Sequence, residues 1–356
     1  MTGNTHFDKL SAGIGGFLRS SFPGVHYYLA SLYYPILGIF LFRRIPAETG
    51  RGPKIILVGG EDGPDKISTF CALFDLYPVL AGNFRVELMM CVSFGRRHVR
   101  KIGRKRPDLV LLSFDSGEFQ EQLAALDVPF MGSGSETCRK CYDKIQAAGL
   151  AAGAGNLIAE VFMVVKDGFD SASFEHLRYP LVVKPRRGGS SQGVGKARHS
   201  GEMARAVKSA LKWDSEVIVE EFIPGREFTC TVYGNEHPKT LPVNRKIMKF
   251  EEEEMAARGE KVLKNRFPVE SGEAFLDEIK RRSTEIYQLF GCRDMIRIDW
   301  KYDDSAEKLY FLEINALPWI GKTGGNIKDC AEAAGSSYEE FIMNLFNDAL
   351  RRRKHL

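Results

Sequence analysis

The sequence predicts a mixed α/β (α+β) protein of three globular units behind an N-terminal extension, residues 1–50. Over residues 51–134, apolar runs that suit buried strands alternate with helical segments, which is typical of a parallel α/β unit. Over residues 135–225 and 226–350 the strands follow one another more closely, which indicates two mostly antiparallel α+β units. The 356 residues are 44% hydrophobic and 27% charged, which excludes a disordered or fibrous chain.

The first unit is predicted from three apolar runs and the segments between them. The predicted strands are Lys54–Val58, Val86–Val92 and Asp108–Phe114. Gly59–Gly60 opens a loop that leads to a helix near Ile67–Leu76. A helix over Glu136–Ala148 follows, and it carries Asp143 and Lys144 toward its C-terminal end.

The second and third units are predicted from short apolar strands and helix caps. The expected strands are Val161–Val165, Leu181–Lys184, Glu216–Phe222 and Arg226–Tyr233. Ser200 is expected to cap a helix, because its hydroxyl can accept a bond from a free backbone N–H. Ser336 and Ser337 each stand three residues before a glutamate, so the last helix is predicted to begin there. Residues 250–266 are highly charged, and we expect a loop or lid.

The charge and the cysteine content narrow the class of protein. A formal net charge of +4 is too small to indicate nucleic acid, and no aromatic and basic recognition module is evident. Seven cysteines without regular spacing argue for a reducing compartment, so we expect a cytoplasmic protein. Cys138 and Cys141 are expected to be ordinary helix cysteines, since a lone pair is a weak zinc signal.

Two features leave partners and localisation open. Residues 25–42 are apolar but interrupted by Pro35 and Gly38, so we expect a buried or dimer-forming helix rather than a bilayer helix. Association with a membrane surface or an acidic protein partner is the alternative, because basic runs lie at residues 96–106 and in the tail 351–356. The final Lys-His-Leu differs from a peroxisomal address in its first residue.

Two strand-like segments, Met295–Trp300 and Tyr310–Pro318, carry polar groups among residues that should be buried. The polar residues are Arg297 and Asp299 on the first segment and Glu313 and Asn315 on the second. Alternate side chains of a strand share a face, so each pair points one way. If the strands are neighbours, these oxygen ligands suit Mg²⁺. An internal salt-bridge network explains either segment alone equally well.

A second group of residues suits a nucleotide. Lys184 ends a strand and precedes a loop rich in glycine and serine, including Ser190 and Ser191. Such a loop can hold a polyphosphate through backbone N–H groups and the lysine charge, and a surface loop of chance composition is the alternative. The strand edge at residues 220–223 can pair with an adenine rim, and Glu227 can accept from a ribose. Solvated acidic ends of a strand explain that segment better on its own.

Taken in order, these segments resemble the ATP-grasp superfamily, and most closely the branch of the D-alanine–D-alanine ligases. The resemblance covers residues 54–347 and implies the ATP-grasp fold, in which two antiparallel lobes clamp ATP. It assigns to ATP the residues Lys144, Lys184, Ser190, Ser191, Glu220, Glu221, Ile223 and Glu227. It assigns Asp299, Glu313 and Asn315 to Mg²⁺, with Mn²⁺ as the alternative, and Arg297 and Ser190 to catalysis.

The implied chemistry is ATP-dependent formation of an amide or peptide bond. A substrate carboxylate attacks the γ-phosphate of ATP to give an acyl phosphate and ADP, and an amine then displaces phosphate. Mg²⁺, Lys144 and Lys184 would offset charge in the first step, and Arg297 would stabilise the oxyanion of the second. The resemblance also implies small-molecule carboxylate and amine substrates, no nucleic acid, and a homodimer.

Several substrate contacts depart from the family pattern. Pro64 stands nearest the position of a glutamate that anchors the first amino group, and Lys249–Phe250 or Lys264 replaces a Lys-Tyr pair. Trp319 and Gly324 stand where the family has a glycine and a serine. The expected substrate contacts are Gly60, Glu61, Trp319, Lys322 and Gly324. Trp319 is equally well explained as core packing.

Changed anchors predict changed substrates, because a hydrogen-bonding site rejects analogues that leave its polar groups unpaired. We therefore expect a carboxylate–amine ligase whose substrates are not two D-alanines. The alternatives are a true D-alanine–D-alanine ligase, a carboxylate–thiol ligase, and a nucleotide-binding scaffold without turnover.

Overall fold

The computed structural model describes residues 51–59, 66–90, 94–113, 117–189, 191–247, 273–322 and 326–353. Several predictions fall outside these ranges, namely those for residues 1–50, Gly60, Glu61, Pro64, Ser190, Lys249, Phe250, the loop 250–266, Lys264 and Gly324. Within the described ranges, no helix is long and apolar enough to cross a membrane.

The N-terminal unit is a three-stranded parallel sheet with helices on both faces. Its strands are β1 (Lys54–Gly59), β2 (Arg85–Met90) and β3 (Leu109–Leu112), in the order β2-β1-β3. Its helices are α1 (Lys66–Ala81), α2 (Arg96–Arg104) and α3 (Glu118–Ala124). Ile55 and Leu57 pack with α1, whereas Ile56 and Val58 pack with α2 and α3. A parallel sheet needs both faces buried, and the predicted α/β unit is confirmed.

The helix predicted over Glu136–Ala148 is wrong, because the chain forms two helices there. These are α4 (Ser135–Tyr142) and α5 (Lys144–Gly153). Asp143 between them has φ −91° and ψ 103°, an extended conformation that ends α4. Its carboxylate accepts from two backbone N–H groups of the next turn and so caps α5. Lys144 is therefore the first residue of a helix and not near the end of one.

The central unit is a four-stranded antiparallel sheet covered on one face by a helix. Its strands are β5 (Val161–Val165), β6 (Leu181–Pro185), β7 (Gly195–Ala197) and β8 (Val217–Glu221), in the order β5-β8-β6-β7. Val183 and Val219 pack against Val207 of helix α6 (Ser200–Ala210). Lys184 follows Val183 on β6, and Glu220 follows Val219 on β8. Both line a cleft on the other face of the sheet.

The C-terminal unit contains the largest sheet, which has six strands. They are β4 (Leu157–Ile158), β9 (Arg226–Tyr233), β10 (Lys239–Thr240), β11 (Asn244–Lys246), β12 (Met295–Asp303) and β13 (Lys308–Asn315). The order is β10-β9-β12-β13-β4, and β11 also pairs with β9. Phe228, Ile298 and Trp300 lie on the apolar face under α4, α5 and α7 (Ala274–Leu289). The opposite face carries the polar residues.

Of the two helix caps predicted from the sequence, one is wrong and one is confirmed. The Ser200 prediction is wrong by one residue, because His199 occupies the cap position and its side chain makes no capping bond. Ser337 caps α9 (Tyr338–Arg353), since its Oγ accepts from the Glu340 backbone N–H at 3.1 Å. The shorter helix α8 (Ile327–Ala333) precedes α9.

Helix α9 joins the C-terminal unit to the N-terminal sheet. Its residues Phe341, Ile342 and Phe346 belong to the same core as Ile55 and Leu57. The helix continues into the basic run that the sequence assigned to a tail. Arg352 in its last turn forms an ion pair with Asp294, and its side chain is only 16% exposed.

Candidate active site

One face of the C-terminal sheet presents a patch of polar residues in rows across neighbouring strands. Strands β12 and β13 are antiparallel neighbours, as the sequence predicted, with Asp299 opposite Glu313 and Arg297 opposite Asn315. A register shift between Asp299 and Trp300 marks a bulge beside the patch, after which the pairing of the two strands resumes. Two carboxylates, an amide and a guanidinium thus share one face.

Arg297 and Asp299 form a two-pronged ion pair. Arg297 Nε donates to Asp299 Oδ1 at 2.7 Å, and Nη2 donates to Oδ2 at 2.9 Å. Asp299 is only 1% exposed. Burial would raise the pKa of Asp299, but the Arg297 guanidinium and Lys246 outweigh that effect and hold it at about 2. The salt-bridge interpretation therefore describes this pair, and it accounts for only part of the patch.

Lys246 is a site residue that the sequence analysis missed. It lies opposite Glu227 in the pairing of β11 with β9. Its Nζ is 2.9 Å from Glu227 Oε1 and 3.4 Å from Asp299 Oδ2. Burial raises the pKa of Glu227, and the Lys246 charge offsets part of that effect. Strand β11 has three residues, too few for an alternating pattern that could have revealed it.

The two carboxylates of the patch, Asp299 and Glu313, line a cleft between the C-terminal and central sheets. The cleft includes about 770 Å³ of empty space, part of which is open solvent. Glu227, Lys246, Asp299 and Glu313 line the side of the C-terminal sheet. The opposite side is lined by Lys144, Lys184, Ser191, Glu220, Glu221 and Ile223.

Lysines provide the positive charge on the central side of the cleft. Lys144 starts α5, and its Nζ donates to the Gly188 carbonyl at 2.6 Å. Burial lowers the pKa of Lys144, while the nearby Glu313 and Glu220 carboxylates act the other way. Lys184 Nζ lies 2.6 Å from Glu220 Oε1. These two ammonium groups can hold an anion against the glycine-rich loop.

The glycine-rich loop is fixed at its N-terminal end by ion pairs and a backbone hydrogen bond. Arg186 binds Asp143 and Glu216, and the backbone N–H of Arg187 donates to Asp214 at 2.7 Å. Between these anchors and β7 the loop follows the rim of the cleft through Gly188, Gly189 and Ser191. The loop is thus held at its base while its backbone faces the cavity.

The predicted metal ligands fit a divalent cation by their chemistry. No cluster of three or more His, Cys, Asp and Glu side chains in the described chain could hold a metal ion, and the predicted set differs because it has two carboxylates and an amide. Asn315 Nδ2 is buried without a hydrogen-bond partner in the structure. The oxygen and nitrogen of an amide are interchangeable in shape, so Asn315 can present its oxygen there. Such oxygen donors fit Mg²⁺ or Mn²⁺.

Most predicted ATP and metal residues in the described chain meet at this cleft, and two predicted substrate contacts do not line it. Trp319 packs over Gly321 near Asp75. Lys322 is exposed, and its Nζ pairs with Glu339 at 2.8 Å. Lys301 lines the cleft and was missed, although it continues the every-second-residue pattern of Arg297 and Asp299 along β12.

Comparisons with known proteins identify relatives of this chain. The family described as "D-ala D-ala ligase C-terminus" matches residues 145–347. D-alanine–D-alanine ligase B of Clostridium perfringens is 30% identical over 242 residues, which cover 67% of this chain and 78% of that protein. A D-alanine–D-alanine ligase of Clostridium beijerinckii is 31% identical over 238 residues, which cover 67% and 77%.

Solved structures share the fold. The D-alanine–D-alanine ligase of Bacillus anthracis complexed with ATP has a TM-score of 0.69 at 23% identity, and the match covers 86% of this chain and 99% of that one. The D-alanine–D-alanine ligase of Coxiella burnetii has a TM-score of 0.71 at 18% identity, with 86% and 96% covered. The predicted ATP-grasp architecture is confirmed. The chain belongs to the D-alanine–D-alanine ligase family of ATP-grasp proteins, and it is an ATP-dependent ligase that forms a carbon–nitrogen bond.

Proposed function

We propose that the protein joins the carboxylate of D-alanine to the amine of a second D-amino acid. D-alanine is the first candidate for this second substrate as well. ATP is converted to ADP and phosphate. The relatives at 30% and 31% identity are named D-alanine–D-alanine ligases, and this supports D-alanine on both sides. A structural neighbour from Enterococcus faecalis is named a D-Ala:D-Ser ligase, which supports some freedom in the second substrate.

The expectation that the substrates are not two D-alanines finds no support among these relatives, which favour the alternative. That expectation relied on Pro64, on Lys249–Phe250 or Lys264 in place of a Lys-Tyr pair, and on Gly324, which all lie outside the described residues. It also relied on Trp319. Trp319 lies against Gly321 and is half-buried, outside the described apolar cores.

The observation that carries the proposal is the arrangement of charge across one cleft. Lys144 and Lys184 lie on the central side, and Asp299 and Glu313 lie on the C-terminal side. A triphosphate placed between them would meet cations on one wall and metal ligands on the other, which is the combination that phosphoryl transfer needs.

In the first step, a carboxylate oxygen of the first substrate attacks the γ-phosphorus, and the bond from that phosphorus to the β,γ-bridging oxygen breaks. Lys144 and Lys184 hold the phosphate oxygens and offset their charge. Asp299, Glu313 and Asn315 would hold Mg²⁺, which when bound supplies further charge neutralisation. ADP leaves with the bond electrons, and the first substrate carries the phosphate as an acyl phosphate.

In the second step, the amine of the second substrate attacks the acyl carbon, and the carbon–oxygen bond to phosphate breaks. The amine loses a proton, which the leaving phosphate takes up. Arg297 uses Nε and Nη2 to bind Asp299, which leaves Nη1 as a positioned donor for the oxyanion that forms on the acyl carbon. Such a fixed donor is typically worth about 3–4 kcal/mol in the transition state.

The proposal is tested by ADP release from the purified full chain with ATP, Mg²⁺ and D-alanine, and by the mass of the product. We expect D-alanyl-D-alanine, with no product from L-alanine. Glu313→Gln keeps the side-chain shape and is expected to reduce turnover by about 100-fold or more, on the scale of a lost transition-state charge interaction. Glu285→Gln, at an exposed ion pair on α7, is the matched control and should leave turnover unchanged.

Three outcomes would count against the proposal. ADP release with other amino acids but not with D-alanine would restore the expectation of different substrates. A thioester product would indicate a carboxylate–thiol ligase. Tight ATP binding without turnover on any amino acid would indicate a scaffold.

A further inference from the structure

Helix α2 carries arginine and lysine side chains that the ligase chemistry does not use. The nine residues of this helix include five cations and no carboxylate. All five cations are exposed, namely Arg96, Arg97, Arg100, Lys101 and Arg104. At roughly 100° of rotation per helical residue, they fall within an arc of about 140°. The buried residues Val99 and Ile102 lie on the opposite side of the helix. The five cations therefore form one solvent-facing surface, which we call the basic face.

The basic face has no neutralising partner in the part of the chain that the structure describes. No carboxylate there forms an ion pair with any of the five side chains. The acids of the neighbouring helix α3 have other partners, since Glu118 accepts from Gln122 at 2.9 Å and Glu121 pairs with Arg139. Like charges three or four residues apart on a helix repel one another. An anionic partner would relieve that repulsion.

The end of α2 lies beside the point where the chain enters the N-terminal sheet. Lys105, directly after α2, pairs with Glu87 of β2 at 2.8 Å, and Lys54 at the start of β1 lies 3.7 Å from the same carboxylate. The backbone N–H of Asp108 donates to the Lys54 carbonyl at 2.8 Å. Residues 51–53, which lead into β1, are exposed. The residues that follow the N-terminal extension and the end of the basic face therefore lie at the same end of the sheet.

The sequence of the extension indicates which anionic partner fits. Residues 25–42 are apolar and aromatic, and Arg43, Arg44 and Arg51 follow them. An apolar segment beside clustered cations is typical of proteins that bind an anionic lipid surface, because one such signal alone gives only weak, reversible binding. A lipid surface would contact both features. An acidic protein or a nucleic acid would contact the charge alone.

We propose that the basic face of α2 docks on an anionic lipid surface, with the apolar sequence of residues 25–42 as the second contact. This interaction goes beyond the proposed function and does not depend on it. The residues of the cleft have no part in the attachment.

The test is co-flotation of the purified full chain with lipid vesicles. One set of vesicles is phosphatidylcholine alone, and in the other roughly a third of the lipid is phosphatidylserine. We expect the wild type to bind the anionic vesicles at least about 10-fold more tightly, because each basic residue near such a surface contributes roughly fivefold. Added salt should weaken this binding. Arg97→Gln, Arg100→Gln and Arg104→Gln, made together, should weaken it by about 100-fold.

Three further variants isolate the cause. Arginine-to-lysine changes at the same three positions keep the charge and should retain binding. Arg205→Gln, Lys208→Gln and Lys212→Gln, made together, remove the same number of exposed charges in and just after α6 and should also retain it. Phe40→Ser with Phe42→Ser should weaken binding to both kinds of vesicle, because it removes apolar side chains from the second contact.

Equal binding of the wild type to both kinds of vesicle would overturn the proposal, and so would a folded glutamine variant of α2 that still floats like the wild type. Unchanged binding of the serine variant would overturn the second contact. Binding to soluble polyglutamate but not to vesicles would overturn the proposal in favour of an acidic protein partner.

Circular dichroism checks that each variant folds. If the glutamine variant of α2 does not fold, the wild type and the lysine variant still decide, because loss of binding in the lysine variant contradicts a contact made by charge. Flotation is measured without ATP or D-alanine, and ADP release is measured without vesicles. Failure of the lipid contact and failure of the proposed function are therefore separate results.

Discussion

Asp143 links a helix cap to an ion pair through one buried carboxylate. It is 4% exposed, and it accepts from the backbone N–H groups of Ile145 and Gln146 at 3.1 and 3.3 Å. Arg186 Nε donates to both of its oxygens at 3.0 Å. The residue therefore fixes Lys144 at the start of α5 and ties it to the base of the glycine-rich loop.

Replacing Asp143 by alanine is expected to lower the free energy of unfolding by about 2–4 kcal/mol, since a cap is lost and Arg186 loses a buried partner. The measurement is urea denaturation at neutral pH. Asp170→Ala is the matched control, because Asp170 caps a short 3₁₀ helix from an exposed position and should cost about 1 kcal/mol or less. Equal losses in the two variants would contradict the role given to the ion pair.

The same carboxylate makes a pH-dependent contribution. Burial would raise the pKa of Asp143, but the Arg186 and backbone hydrogen bonds outweigh it and hold the pKa below its usual value. The folded state thus favours the ionised form, and the stabilisation is fully present above the unfolded pKa of roughly 3.9. It is lost as the pH falls through the lower folded value. The stability difference between the wild type and Asp143→Ala should therefore shrink in acid denaturation series below about pH 4, and a constant difference would contradict this account.

The turn between β8 and β9 depends on a glycine. Gly225 has φ +99°, in the left-handed region that L-residues rarely adopt. A methyl group on Gly225 would also overlap the backbone carbonyl of Tyr302 on β12. Gly234 has the same φ of +99°, but there a methyl group would meet its nearest atom, the His237 carbonyl, only at 3.4 Å. Alanine substitutions at Gly225 and Gly234 therefore separate the cost of the left-handed conformation from the cost of steric overlap.

Gly234→Ala is expected to cost about 1–2 kcal/mol of unfolding free energy, from the left-handed conformation alone. Gly225→Ala should cost about 3–5 kcal/mol, because overlap with a backbone atom adds to the same strain. Denaturant unfolding of both variants provides the measurement. Similar costs would show that the close approach of β12 to this turn is unimportant.

How well the sequence predicted each element depends on how many residues carry its pattern. Long strands gave clear alternation, so the pairing of β12 with β13 and the shared face of Arg297, Asp299, Glu313 and Asn315 could be predicted. The break at Asp143 could not, because the flanking residues favour one continuous helix and the cap becomes apparent only with its hydrogen bonds. Lys246 was missed because its strand is too short to show alternation and its partners are distant in sequence.

Asp294 joins the N-terminal unit, the C-terminal sheet and the last helix. It is 1% exposed. Its Oδ2 accepts from the Gly132 backbone N–H at 2.7 Å, and its Oδ1 accepts from Asn235 Nδ2 at 2.9 Å. Arg352 Nη2 donates to Oδ2 at 2.9 Å and also to the Phe130 carbonyl at 3.0 Å. The end of α9 is therefore attached to two units through one buried ion pair.

This attachment predicts that Arg352 matters for the stability of the whole molecule although it lies four residues from the C-terminus. Arg352→Ala leaves the Asp294 carboxylate buried without its cation and should lower the free energy of unfolding by about 2–4 kcal/mol. Arg351→Ala removes an exposed pair with Asp348 and should change it by about 0.5 kcal/mol or less. Both variants are compared by guanidinium unfolding, followed by tryptophan fluorescence and by far-UV circular dichroism. Because α9 packs in the same core as β1, the units stay connected, and we expect the Arg352 variant to unfold in one transition at a lower denaturant concentration than the Arg351 variant. A single transition with the same midpoint for both variants would contradict the role of Asp294 as the link between the units.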